Sequence, residues 1–515
     1  MWRSLQLPHG ALLTASEAER IHHTALRILA EVGLRVSHEP LREELARQGL
    51  CVRQERVFLE PRLVDRYVEE HRRRLLSAPA PPPEDEGRLT LFVSGYNHDL
   101  EDPEAGSIAP FTAARLIEMT RFVDSLADRG VVASTPGYPG DVPPELQPLS
   151  QYRIGALYSR RGGSFGDISV PWVMECVMAM AEVMGNPVQG LPVYLVSPLH
   201  LGGDSLSIAL HIRDRIRHLH VSGMPAAGAT APIAPFGALA LAAAEAIGSH
   251  VALAIGTGLE VSFSVWVFPF DLRATTMVFG SPENLLLRAL ARDLNRFYGH
   301  CLTTDQGLGD IYVMAKETGI QAAAEKASLM TAAALMGQRS FSGAGSLSMD
   351  DIFSPLQLLI DCEIRDHVQR LILGLPLEEG DTDWAALVEE GVARGFIAQD
   401  STLDSHRQLL WYPRLFDRSA LGAWLRAGSP RLIDRVREMY HAQLAGATYE
   451  LQDTDRRREL DRIWEYACRR LAGQRPIDVL SPPRDRGCRS GKSCSGCRLS
   501  SSPGTQRPGS SRRTP

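Results

Sequence analysis

A chain of 515 residues, 44% hydrophobic and 23% charged, has the composition of an ordinary globular protein and the length to bury a large core. Its net charge of −6 is uneven: residues 481–515 carry eight basic side chains against Asp485 alone, so the rest of the chain is strongly acidic and no nucleic acid partner is expected. The first twenty residues lack the pattern of a secretory signal, and the longest unbroken apolar run, Ala238–Ala244, is too short to span a bilayer, which argues against a membrane partner.

In chain order, Ser16–Glu31 places Ile21, Ala25, Ile28 and Leu29 on one face, and the spacing predicts an amphipathic helix. Pro40–Arg47 and Pro61–Arg72 read as two more, with prolines near their starts. Residues 1–85 are therefore a helical lead-in, ending in the linker-like Ala78–Glu86. From Leu89 onward short apolar runs alternate with helical patterns. Strands are expected at 89–95, 131–135, 163–168, 192–197, 218–223, 260–268, 300–304 and 339–344. Helices are expected at 112–126, 145–160, 170–185, 203–216, 235–249, 281–297, 316–337 and 353–373. Eight such units across 86–375 predict an α/β fold, a (β/α)8 barrel of TIM type; an open doubly wound sheet would alternate in the same way. Residues 376–475 read as a helical C-terminal cap, and 476–515 as a disordered basic tail.

Cys51, Cys176, Cys301, Cys362 and Cys468 are scattered, as buried thiols in a reducing compartment would be, and the cytoplasm is the expected location. Cys488, Cys494 and Cys497 make at most half a zinc site, and no metal is expected. The apolar faces of the helices at both ends leave room for a homo-oligomer.

In a parallel α/β fold the residues just past the strands' C-terminal ends build the site. The stretch His218–Gly248, a strand, a loop rich in glycine and proline and an alanine-rich helix, is the clearest such unit. The rim residues are Tyr96, Asn97, His98 and Asp99 after the first strand, His200 after the fourth, Met224 and Thr230 after the fifth, and Trp266, Phe268 and Asp271 after the sixth. The seventh gives Thr304, Asp305, Gln306 and Asp310, with Tyr312 nearby. Each alone reads equally as a cap or a structural hydrogen bond. Tyr96, Trp266, Phe268, Phe270 and Tyr312 would suit an alkylated cation, which binds ring faces through the quadrupole; packing in the core is the alternative use of such rings.

Several of these segments together resemble the trimethylamine methyltransferase family. The resemblance runs through LTASEAERIHHTALRILAEVGLRV at the start, SGYNHDLEDPEAGSIAPFT, Ser197-Pro198-Leu199, GATAPIAPFGALALAAAEA (228–246), GIQAAAEKA (319–327), GAGSL (343–347), SPLQLLIDCEI (354–364) and FIAQDSTLDSHRQLLWYPRLFDR (396–418). It implies a (β/α)8 barrel that takes a methyl group from a methylated amine. The acceptor implied is cob(I)alamin, carried by a separate small corrinoid protein and not bound directly by this chain. Family enzymes acting on trimethylamine carry pyrrolysine, which is not written here, and its absence favours a quaternary amine such as a betaine. Asn97, Thr230 and Gln306 are candidates for holding a betaine carboxylate. Lys316, Gln321 and Glu325 fit the family pattern, whereas Met314 stands where an aspartate is usual, and Gln399 and Ser401 where histidine is frequent. The competing classes are a metal-dependent barrel hydrolase or lyase using Asp99, His200, Asp271 and Asp310, and a catalytically silent amine-binding paralogue.

Overall fold

Thr14 starts the first helix, α1 (Ala15–Glu31): its hydroxyl accepts the Glu17 N–H while the Glu17 carboxylate accepts the Thr14 N–H, a reciprocal cap for two otherwise orphaned donors. Ala18, Ile21, His22, Ala25, Leu26 and Leu29 are the buried stripe of α1. Two further lead-in helices follow, α2 (Glu39–Arg47) and α3 (Pro61–Ser77). The computed structural model describes residues 2–3, 11–77, 88–300, 307–376 and 382–474. The expected linker 78–86, most of the expected strand 300–304, Gln306 and the basic tail lie outside the described residues. The chain divides into two units, Met1–Cys468 and Arg469–Pro515; of the second, residues 469–474 are described, as the end of the helix Thr454–Gln474.

The central unit is mixed α/β. Six strands form two three-stranded parallel sheets: β1 (Thr90–Val93), β2 (Val131–Val132), β3 (Gly190–Tyr194), β4 (His218–Ser222), β5 (Glu260–Phe263) and β6 (Ser340–Ala344). β1 lies between β2 and β6, with Leu91 opposite both Val131 and Phe341. β4 lies between β3 and β5, with Val221 opposite Val193 and Phe263. The last parallel strand thus pairs with the first. Alternate residues of β1 and β4 are buried, and Leu89, Leu91, Phe341, Met330, Leu359 and Val368 share one continuous core.

All eight expected helices of this region are present: α4 (Ala113–Asp124), α5 (Gln147–Tyr158), α6 (Pro171–Met184), α7 (Asp204–His211), α8 (Pro235–Thr257), α9 (Pro282–Phe297), α10 (Ile320–Leu335) and α11 (Pro355–Leu373). Prolines occupy the first turn of five of them, where the missing N–H costs nothing. α8 runs past the expected end at 249 to Thr257, and Gly248 and Gly256 leave space for Leu29 of α1 and Leu41 of α2. α8 is long and apolar enough to cross a membrane by composition, but 83% of its most apolar window is buried inside the fold.

Two strand expectations need correction. GSFGDI (163–168) forms no strand: the Gly166 N–H is taken by the Gln151 side chain, and the segment runs as a loop. EVSFSVWVF (260–268) breaks in the middle, because the Asn295 amide engages both the N–H and C=O of Val265. The chain re-enters a sheet as Phe268–Asp271, beside Ala226–Ala227.

Candidate active site at the strand ends

Past the C-terminal end of β1, buried Asn97 donates to the carbonyls of Ser94 and Pro136 and so locks the loop after β1 to the loop after β2. Gln151 of α5, also buried, completes the join. Its amide donates to the carbonyls of Gly95 and Gly137 at 2.6 and 3.1 Å, and its oxygen accepts the Gly166 N–H. Three loops are thereby fixed by one side chain.

The fixed loops bring together Tyr96, Tyr138 and Asp167, which meet Tyr194 at the end of β3. Tyr96 donates to Asp167 Oδ1 at 3.4 Å, so Tyr194 donates to the Tyr96 oxygen at 3.2 Å. The Asp167 N–H donates to the Tyr138 hydroxyl, against which Gly166 leaves no space for a side chain. The Tyr96 and Tyr138 rings meet at 6.2 Å and 64°, and His98 stacks on Tyr138 at 5.3 Å. Burial pushes the hydroxyls of all three tyrosines upward in pKa, so they remain neutral donors. Burial likewise raises the Asp167 carboxyl, with the Tyr96 hydroxyl opposing. Asp167 and Tyr194 also line a cavity of about 300 Å³, closed on its apolar side by Phe165, Met174, Leu191 and Ile208.

The other expected site residues fall into two groups. Tyr312 lies on the same rim: its ring occupies the space left by Gly343 in β6, burial raises its hydroxyl, and Asp310 raises it further while Ser94 opposes. Asp350, raised by burial and by Asp351, feels both His98 and Asp310. Asp310 is paired with Arg288 at 2.6 Å, and the Arg288 guanidinium lies over Trp266 at 4.8 Å and over Phe268 at 5.4 Å. The faces of Trp266 and Phe268 therefore already hold a cation. Thr230 accepts the Ala226 N–H, Asp271 accepts the Arg273 N–H, and Asp99 sits in a strand paired with Ile108–Pro110; all three are engaged in local structure. Among the described residues no three His, Cys, Asp or Glu side chains stand close enough to hold a metal ion.

A family model described as trimethylamine methyltransferase matches residues 3–473, nearly all of the described chain. The chain belongs to this family. It is 24% identical over 439 residues to the glycine betaine methyltransferase of Desulfitobacterium hafniense, covering 82% of this chain and 89% of that one. With the trimethylamine methyltransferase of Methanosarcina barkeri it shares 28% over 297 residues, 57% and 58% of the two chains. A solved structure of the monomethylamine methyltransferase of Methanosarcina barkeri aligns with a TM-score of 0.34 at 10% identity, over 84% of this chain and 98% of that one.

In this methyltransferase-family chain, residues that sequence reasoning passed over support the strand ends. Asp167 sits in a segment read as a strand, Tyr194 within a strand and Tyr138 in an unremarked loop. Only the position of Asp167 between two glycines (Gly163, Gly166) and an N-terminal helix proline (Pro171) signalled a loop there. Glu245, one polar residue in the apolar α8, accepts the Leu199 N–H and the Ser197 O–H at 2.8 Å each, tying α8 to the loop after β3. Burial pushes its carboxyl up to about 7, the two hydrogen bonds opposing. Lys326 and Asp361, both fully buried, pair at 2.8 Å and hold Gly343 near the end of β6 and Gly345 just after it.

Proposed function

We propose that the chain moves a methyl group from a quaternary amine to cob(I)alamin on a separate corrinoid protein, on a closed (β/α)8 barrel. The pairing of β6 with β1 supports closure, since a barrel needs its last strand beside its first. One observation carries the substrate reading: the cup of Tyr96, Tyr138 and Tyr194 with Asp167 at its edge. Ring quadrupoles and one partly desolvated carboxylate attract a cation that has no N–H to offer. A neutral amine leaves from such a donor, so no protein acid is required, and the cup's work is to hold one methyl toward the mouth and keep water out. The absence of any pyrrolysine and the similarity to a glycine betaine methyltransferase point the same way.

When docked, the cobalamin supplies the nucleophile. Tyr194, Val196, Met224 and Ile233, exposed side chains at and beyond the ends of β3 and β4, suit the face of a corrin and would receive it. We further place the enzyme in the cytoplasm and as a homo-oligomer, the latter on the exposed apolar face of the C-terminal cap. A panel of methylated amines, each mixed with free cob(I)alamin, tests the reading by the absorbance of the alkylated corrinoid. Turnover with a quaternary amine and none with trimethylamine is expected. Tight binding without transfer would identify a silent paralogue.

A further inference from the structure

A second cavity, of about 430 Å³, opens at the other end of the parallel strands, where Leu89 enters β1 and Arg129 precedes β2. Its wall carries Arg88, Arg129, Arg365 and Arg414 against Asp128 and Asp366. Two of the basic residues carry buried guanidinium nitrogens. Arg365 of α11 is only 5% exposed; its Nε and Nη2 both turn to Asp366 Oδ1, at 2.7 Å. Its Nη1 is buried without an acceptor, packed where Gly130 has no side chain: a Cβ there would stand 3.0 Å away. Gly130 also has φ +76°, a conformation that favours glycine, so the close approach and the turn require the same residue. Arg129 Nη2 is a second buried donor without an acceptor. Arg414 is brought to the cavity by its own backbone, because the buried carboxylate of Glu363 accepts the N–H groups of Arg414, Leu415 and Phe416. Arg88 is fixed by donating to the Asp128 carbonyl at 3.0 Å.

Four guanidiniums facing two carboxylates leave the cavity with excess positive charge, and buried guanidinium donors are not normally left unmatched in a native fold. We propose that this cavity is a binding site for a phosphate-type oxyanion, inorganic phosphate or the phosphoryl group of a small monoester. Such an anion offers several acceptor oxygens to planar guanidinium forks, and a small turn of Arg129 or Arg365 directs its free N–H inward. Asp366 holds the rest of Arg365 in place, and the strand-end cup lies at the opposite end of the same strands, so the two sites are separate.

The test is calorimetric titration of the full-length protein with inorganic phosphate and then with glycerol phosphate, at ionic strength matched with chloride. Saturable binding is expected, weakened roughly tenfold or more in an Arg88→Gln/Arg414→Gln double variant, whose two side chains are exposed. Tighter binding of the monoester would identify a phosphorylated metabolite as the ligand; equal binding would identify free phosphate. Arg365→Gln should abolish binding, and if that variant does not fold, the double variant decides alone. No saturable heat with either anion, or affinity unchanged in the double variant, overturns the proposal.

Discussion

Asp167 is where the chemistry of the cup can be separated from its shape. Its carboxyl is raised by burial while the Tyr96 hydroxyl alone opposes, so an arriving cation gains most from this one charge. Asp167→Asn keeps the volume and removes the charge; KM for a quaternary amine should rise about tenfold, about 1.4 kcal/mol, with kcat less affected. An unchanged KM in steady-state assays would remove Asp167 from the site. Tyr194→Phe keeps the ring and loses one hydroxyl, and should cost far less than Tyr194→Ala. Glu245 acts at a distance from the substrate. Replacing it by alanine strands a buried N–H and a hydroxyl, at a cost of about 3 kcal/mol in denaturant unfolding, and slackens the loop after β3.

At the level of elements, the loops matter more than the strands they extend. Gln151→Ala would release Gly95, Gly137 and Gly166 together, about 1 kcal/mol for each bond lost, and an activity loss larger than the stability loss implies is expected because the cup is built on those loops. A second element-level junction is acid-sensitive. His71 of α3, His250 of α8 and His300 surround Phe263 of β5, with His71 and His250 rings 5.2 Å apart and His71 4.7 Å from Phe263, and His220 of β4 lies beside β5 on Ser262 and Ser264. Burial lowers His71 to about 2 and the other three to about 4, and Arg74 and the neighbouring imidazoles add to it. Their folded pKa values lie below the ordinary value of 6.5, so between about 4 and 6.5 the unfolded chain binds more protons. Stability from these groups is complete above 6.5 and is lost as pH falls. Glu245, raised to about 7, and Asp167 and Asp350, also raised by burial, have the opposite sign and offset part of this loss. Urea midpoints should therefore fall steeply between pH 6.5 and 4.5, and a His250→Phe variant should fall less steeply.

The sequence made helices legible and site geometry much less so. Prolines and 3.6-residue spacing mark helix starts and faces locally, which is why all eight helices between 112 and 373 could be read. The strand at 163–168 could not be told from a loop, because what denies it a ladder is the side chain of Gln151, distant in the text. The break at Val265 depends in the same way on Asn295. Of the aromatics singled out, Tyr96 and Tyr312 reach the rim, whereas Trp266 and Phe268 are covered by Arg288, a residue whose helical setting gives no hint that it crosses to the strand ends.

The whole molecule adds an outward face that single elements do not explain. The helix Trp384–Arg394 places Trp384, Val388 and Val392 four residues apart on one side, exposed at 58, 50 and 77%. Ile397, Leu403, Leu421 and Leu425 of the same cap are exposed as well, Ile397 at 83%. Scattered apolar residues are ordinary on a surface, but an aligned stripe with neighbours of the same kind is what subunits bury. A two-fold contact would let this surface cover itself, since the same patch serves both partners. Light scattering on the eluted protein should give a multiple of 56.5 kDa. Val388→Glu with Val392→Glu should shift it to the monomer while leaving far-ultraviolet dichroism unchanged, since neither side chain supports the core. A monomeric parent protein at micromolar concentration would assign the stripe to another partner and end the homo-oligomer proposal.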